Sequence, residues 1–261
     1  MKNSRKFFDK LANGQFCLGT CISLTDPSVV EAICTEFDFL WIDTEHSSIS
    51  LEALKCHFMA MKGSDCAALV RVPWNDSVQI KPVLDLGADG IIVPMVRTAK
   101  DVAEAVSACQ YPPDGIRGFG PMRPIDYGRI DVQEFYREAN DSIITIVQIE
   151  HEDAVRNIQD ILEVPGLTSI AFGPQDLSAS MGYRGQPRHP KVLRAIETVI
   201  EKARKANVPT GISVGDDPDI LCRWVDMGIQ WLSMSGDIGL LMRAAGEVAG
   251  KVRQHLQNVK A

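Results

Sequence analysis

Long apolar runs are absent from this sequence. No hydrophobic stretch reaches the roughly 18 residues needed to cross a bilayer. The opening Met-Lys-Asn-Ser-Arg-Lys-Phe-Phe-Asp-Lys carries charge without the apolar segment of a secretory signal. Positive charge is also scarce: 27 Lys and Arg face 34 Asp and Glu, a net charge of −7. A nucleic-acid partner, which needs a basic face, is not expected, and neither is a membrane. Paired cysteines are missing as well. Cys17, Cys21, Cys34, Cys56, Cys66, Cys109 and Cys222 are odd in number, scattered, and include no Cys-x-x-Cys. That pattern argues against a disulfide framework or a thiolate zinc site. With no export signal, the thiols read as small core residues in a reduced, cytoplasmic compartment.

Phosphate-binding loops are lacking too. No Gly-x-Gly-x-x-Gly follows the first strand candidate, and there is no Gly-x-x-x-x-Gly-Lys-Ser/Thr. The nearest sequence, Gly115 to Gly120 (GIRGFG), falls in a long irregular loop and makes a poor dinucleotide fingerprint.

What the sequence does contain is alternation. Its 261 residues, 45% hydrophobic and 23% charged, suit one globular domain spanning 1–261. Short β-branched runs occur at 16–22, 38–43, 67–72, 89–94, 143–150, 167–172, 208–214 and 229–234. Amphipathic stretches separate them. In 190–206 Val192, Leu193, Ile196, Val199, Ile200 and Ala203 recur on one helical face, and in 151–163 Ala154, Val155, Ile158, Ile161 and Leu162 do the same. Polar caps before a proline at Thr25-Asp26-Pro27 and in Ser213 to Pro218 mark helix starts. Eight strands, each followed by a helix, predict a (β/α)8 TIM barrel, with a doubly wound open sheet as the alternative. Two segments exceed a minimal barrel: the Pro/Gly/Arg-rich loop 111–129, and a long final helix over 236–260 that is apolar through Ile238, Leu241, Ala244, Ala245 and Val248. Such a helix either closes the barrel or packs on a neighbouring subunit.

Barrel enzymes carry their chemistry at the carboxyl ends of the strands. Here those ends hold Asp43-Thr44-Glu45-His46, Arg71, Gln148-Ile149-Glu150 and Gly173-Pro174-Gln175-Asp176, while the eighth offers only Ser233 and Ser235. Side-chain alternation turns Gln148 and Glu150 towards the mouth and the apolar Val147 and Ile149 towards the helices. A buried carboxylate demands a partner. Glu150 and Asp176 suit a shared hard divalent cation; alternatively, Glu150 pairs with Arg71 and Asp176 caps the following helix. His46 is either a hydrogen-bonded structural residue or an acid/base oriented by Asp43, Glu45 and Asp85. Arg71, the only basic residue at a strand end, is a natural clamp for a carboxylate or enolate oxygen. The amides from Gly173 to Asp176 open a helix and so favour an anion. Lys55, Lys62, Lys81, Lys100, Lys191, Lys202 and Lys205 all fall in helical patterns, which leaves no candidate for a Schiff base in the barrel.

Several of these motifs in order resemble the HpcH/HpaI family of metal-dependent, pyruvate-specific class II aldolases. The resemblance runs from about Gly19 to Asp237 through Asp43-Thr44-Glu45-His46, Val70-Arg71-Val72-Pro73, the stretch Leu84 to Val96, Gly115 to Gly118, Gln148-Ile149-Glu150 and Gly173 to Ser178. It implies a lyase that reversibly splits a 4-hydroxy-2-oxo acid into pyruvate and an aldehyde. Glu150 and Asp176 would hold Mg²⁺, Mn²⁺ or Co²⁺, and Arg71 would stabilise the enolate oxygen. The turn of Gly173, Pro174, Gln175 and Asp176 would receive the carboxylate on its free backbone N–H groups, and Gln148 would order the pyruvate. His46, held by Asp43 and Asp85, would serve the 4-hydroxyl. The family also implies a homo-oligomer, a hexamer or trimer, with the final helix exchanged between subunits. Loop residues 119–127 depart from the family pattern and are expected to border the mouth and read the aldehyde. Oxaloacetate decarboxylation, or other carbon–carbon chemistry of the same enolate, is the alternative activity. A non-catalytic 2-oxo-acid sensor is a third reading, which would have no use for an acid/base.

Overall fold

A computed structural model of the chain describes residues 2–260. In chain order the elements are α1 (Lys2–Ala12), β1 (Cys17–Ile22), α2 (Pro27–Ile33), β2 (Phe39–Asp43), α3 (Leu51–Ala60), β3 (Ala67–Arg71), α4 (Ser77–Leu86), β4 (Gly90–Val93), α5 (Ala99–Cys109), α6 (Val132–Ser142) and β5 (Ile144–Ile149). There follow α7 (Glu152–Arg156), α8 (Ile158–Leu162), β6 (Ser169–Phe172), α9 (Pro174–Ser180), α10 (Pro190–Lys205), β7 (Thr210–Val214), α11 (Pro218–Asp226), β8 (Trp231–Gly236) and α12 (Asp237–Lys260). The eight strands are parallel and close into a barrel through pairing of β8 with β1. This is the (β/α)8 barrel that the alternation predicts, and each strand lies within its candidate run or extends it by two residues, as β8 does.

Strand alternation builds two cores. Inward residues Cys17, Phe39, Trp41, Ala67, Leu69, Ile92, Ile144, Ile146, Ala171 and Trp231 fill the barrel. Outward residues such as Ile42, Val70, Ile91, Val147, Ile170 and Leu232 pack under the helices. The interior is tight enough to dictate a glycine: a Cβ at Gly211 would lie 1.9 Å from the Trp231 ring. The helix starts follow their caps. Asp26 and Asp217 each accept from the backbone N–H two residues on, with Pro27 and Pro218 at the first helical position.

Three features differ from expectation. The face over 151–163 is carried by two short helices, because Asn157 (φ −91°, ψ 11°) breaks the helical path while the apolar positions stay in phase. The N-terminal segment forms α1, whose Phe7 and Leu11 plug the amino end of the barrel; Lys6–Asp65 and Lys10–Asp38 ion pairs hold it there. The final helix does not close the barrel. Its Ile238, Leu241 and Val248 remain 49%, 64% and 66% exposed.

Candidate active site

The end of β2 supplies a tight acidic turn. Asp43 Oδ1 accepts from the backbone N–H groups of Glu45 (3.0 Å) and His46 (3.3 Å), and Ser47 Oγ donates to the Asp43 carbonyl. Strands β2 and β3 are in register at Asp43 and Arg71, so the guanidinium meets the carboxylate as a fork: Nε to Oδ1 at 3.0 Å and Nη2 to Oδ2 at 2.7 Å. Nη1 of Arg71 lies 3.2 Å from Glu45 Oε2, and the guanidinium carbon stands 5.6 Å from the Trp41 ring centroid. Burial opposes the charge on Arg71, but Asp43 and Glu45 outweigh it and hold its pKa above the ordinary value. Arg71 is thus a fixed cation at the mouth.

Across the barrel, β5 presents Gln148 and Glu150, both buried. Glu150 Oε1 accepts from the Met95 backbone N–H at 2.6 Å, and Oε2 accepts from Gln148 Nε2 at 3.1 Å. The neighbouring β6 ends at Gly173, where a Cβ would lie 2.4 Å from Glu150 Oε2. Only glycine lets the two strand ends approach so closely. Burial, then the fields of Asp176 and Glu45, push the Glu150 carboxyl up to about 7 despite the Met95 bond. Glu45 is raised as well, first by burial and then, against Arg71 and His46, by Asp43 and Asp176. Glu150 is buried, Glu45 half-buried and Asp176 exposed, and among the described residues only Glu45 of the three has a cation within ion-pairing distance, Arg71 at 3.2 Å.

Neither structural alternative for these acids is what the fold shows. Arg71 is spent on Asp43 and Glu45 rather than Glu150. Helix α9 takes Gly173 as its N-cap with no side-chain cap; Asp176 lies in the first turn and does not cap it. The donor set matches a hard divalent cation. Glu150 and Asp176 could provide two carboxylates, and Gln148 Oε1 is a buried oxygen without a hydrogen-bond partner among the described residues. Among the described residues no group of three His, Cys, Asp or Glu side chains is placed to hold a metal ion, so an ion on Glu150 and Asp176 would need further oxygens from substrate and water.

Two expected orienters of His46 are placed differently. Asp43 touches the His46 backbone and Arg71, not the imidazole. Asp85, in the last turn of α4, accepts from Arg117 Nη2 at 3.1 Å. The carboxylate beside the ring is Glu45, with Oε2 3.6 Å from His46 Nε2. Glu45 is the residue that sequence reasoning undervalued: it braces Arg71 and faces His46 at once. Its neighbours in the chain gave the only available signal. The loop 111–129 also requires correction. Arg123 donates to the Phe58 and Leu86 carbonyls at the ends of α3 and α4. Residues 123, 124, 126 and 127 line a cavity of about 520 Å³ with Cys66, Ala88 and Asp89. Those residues precede β3 and β4, so this part of the loop borders the amino end of the barrel, opposite the mouth.

A barrel mouth that gathers buried carboxylates, a braced guanidinium and a rim histidine defines an enzyme of the (β/α)8 class acting on small oxygen-rich anions. The chain belongs to the HpcH/HpaI aldolase/citrate lyase family, whose sequence profile matches residues 20–237. It is 36% identical over 254 residues to the 4-hydroxy-2-oxo-heptane-1,7-dioate aldolase of Salmonella paratyphi C (strain RKS4594), covering 96% of this chain and 95% of that protein. Among solved structures it resembles an HpcH/HpaI aldolase from Desulfitobacterium hafniense DCB-2 (TM-score 0.88, 32% identity, 94% of this chain and 96% of that one). It also resembles a citrate synthase, SbnG (TM-score 0.84, 30% identity, 95% and 98%). The family's aldolases are a metal-dependent class. No described helix is long and apolar enough to cross a membrane.

Proposed function

We propose that this protein is a class II aldolase that reversibly cleaves a 4-hydroxy-2-oxo acid into pyruvate and an aldehyde. The observation that carries the reading is the buried Glu150, raised to about 7 beside Asp176 and Glu45, facing a mouth whose fixed cation is Arg71. Glu150 and Asp176 would hold a divalent ion, Mg²⁺, Mn²⁺ or Co²⁺. When bound, that ion supplies a Lewis acid for the 2-oxo group. The protein's own residues do the rest. Arg71, locked by Asp43 and Glu45, presents a preorganised guanidinium to the oxygen that gains charge as the C3–C4 bond breaks. The open amides at the start of α9, at Gln175 and Asp176, receive the substrate carboxylate. Gln148, tied to Glu150, orders the pyruvate portion. His46 has a side chain 68% exposed at the rim; with Glu45 beside it, it takes the proton from the 4-hydroxyl and returns it in the reverse direction.

A screen of pyruvate release from several 4-hydroxy-2-oxo acids, with and without EDTA, tests this. Activity that is lost on chelation and restored by Mg²⁺, Mn²⁺ or Co²⁺ is expected, with no borohydride-trapped adduct. Activity that survives exhaustive chelation would refute it. A second reading, another carbon–carbon bond reaction of the same enolate such as oxaloacetate decarboxylation, is favoured by the citrate synthase among the similar structures; oxaloacetate in the same screen separates the two. We further take residues 1–261 as one barrel domain that acts in the cytoplasm on a small 2-oxo acid, not a nucleic acid; the seven free thiols support a reduced compartment. The bare apolar side of α12 supports a homo-oligomer, a hexamer or trimer, in which that helix is covered by another copy.

A further inference from the structure

The foot of α12 is held more firmly than the rest of the helix. Ser235 is left-handed (φ 53°) and turns the chain out of β8. Further along, Val252, Leu256 and Val259 are exposed. Asp237, in the first turn, is instead buried. Its Oδ2 accepts from the backbone N–H groups of Ser23 at 2.9 Å and Leu24 at 2.8 Å, and its Oδ1 accepts from Ser23 Oγ at 2.7 Å. One carboxylate thus ties α12 to the segment 23–26 between β1 and α2. A second tie, from Arg243 to Asp216, lies at the exposed surface, where such a pair is worth little.

Leu24 is gripped at both ends. Its N–H meets Asp237, and its carbonyl meets Nε2 of His57, on α3, at 3.0 Å. A carbonyl only accepts, so the ring carries its proton on Nε2 and leaves Nδ1 as a bare lone pair. His57 is wholly buried, and Nδ1 has no hydrogen-bond partner among the described residues. A second proton on this ring would create a buried cationic donor facing no acceptor, which is costly. Burial accordingly holds the imidazole below its usual 6.5, against the Leu24 carbonyl and the fields of Asp237 and Asp26. On α3 itself Glu52 and Lys55 are exposed. On the flanking helices Glu31 of α2 and Lys81 of α4 are exposed too, and Asp85 of α4 is taken by Arg117.

We infer that His57 is the bolt of a proton-sensitive latch: on taking a second proton the ring leaves its buried site and lets go of Leu24, which loosens Asp237 and frees the foot of α12. The geometry couples the three because residue 24 alone joins the ring to the carboxylate. An opened ring titrates near its ordinary 6.5, so opening takes up a proton that the closed latch refuses. The closed state is fully favoured above 6.5. Its advantage falls by up to about tenfold for each pH unit below that, until the lowered folded value is passed. No group assigned to catalysis takes part, so the latch stands apart from the aldolase reading.

The test follows amide hydrogen exchange of the full chain at pH 7.5 and pH 5.5, corrected for the intrinsic effect of pH on exchange, in the wild type, His57→Gln and Asp237→Asn. The amides of Ser23 and Leu24 report the latch, residues 238–243 report the foot of α12, and β5 serves as the reference. In the wild type, opening at the latch and the foot should rise at least about threefold relative to β5 at the lower pH. His57→Gln keeps a donor for the Leu24 carbonyl but takes no proton, so its response should be less than half of the wild type's. Asp237→Asn should open the same amides at both pH values. A wild-type rise below threefold, an equal acid response in His57→Gln, or full protection in Asp237→Asn overturns the inference. If His57→Gln does not fold, the wild-type ratio and Asp237→Asn decide.

Discussion

Replacing Glu150 by Gln should stabilise the metal-free protein even as it removes activity. In the folded chain the carboxyl is raised from 4.5 to about 7, burial being the main cause. Its protonated form is therefore the one the fold prefers. The sign follows from linkage. The stability associated with this group is fully present below its ordinary value of 4.5 and is lost as pH rises through 7. Above both values the ionised carboxylate costs the native state about 3 kcal/mol. Glutamine is a close isostere of the protonated acid, can still accept from the Met95 N–H, and never ionises. Chemical denaturation of EDTA-treated wild type and variant at pH 8 should show the variant more stable by up to about 3 kcal/mol, with little difference at pH 4.5. Adding Mg²⁺ or Mn²⁺ should raise the stability of the wild type by mass action and leave the variant nearly unmoved. The reasoning fails if the variant is no more stable than wild type at pH 8, or if its gain is the same at both pH values. A buried acid that weakens the empty fold is what a cation-binding position requires.

His46→Ala should slow cleavage of the 4-hydroxy-2-oxo acid at least a hundredfold while methyl proton exchange of pyruvate changes far less; equal losses in both assays would show the ring to be structural. Leu241→Glu combined with Val248→Glu should yield a smaller species in sedimentation at unchanged helix content, because both side chains are more than 60% exposed in the single chain. An unaltered sedimentation coefficient would mean that α12 is not an interface. Arg123→Ala should lower unfolding stability by about 1–2 kcal/mol, through loss of the bonds to the Phe58 and Leu86 carbonyls. Acceptor preference measured on the same variant should be unchanged in ranking, since within one chain this side chain borders the far end of the barrel.

How much of this was legible in the sequence depends on whether a feature repeats or happens once. The strands could be read because each buried β-branched run must recur eight times, and the order of the runs fixes their pairing in a closed parallel sheet. Glu150 and Gln148 could be placed by alternation alone, since Val147 and Ile149 have to face the helices. Helix α1 could not: Phe7 and Leu11 gain meaning only against the plugged end of the barrel, a surface that exists after closure. The break at Asn157 is invisible to periodicity, because a kink that preserves phase leaves Ile158 and Ile161 on the same side. Partner choice is the hardest case. Asp43, Glu45 and Asp85 look equally able to orient His46 as names in a sequence, and only geometry shows that Arg71 claims the first, Arg117 claims the third, and Glu45 is left beside the ring. The same limit displaced the loop. Its length and composition announce a function, but a segment of that size can fold to either end of the barrel, and the two carbonyls that Arg123 satisfies decide which. Motif order therefore reveals the reaction class, whereas the pairing of charges at the mouth is visible only in the folded chain.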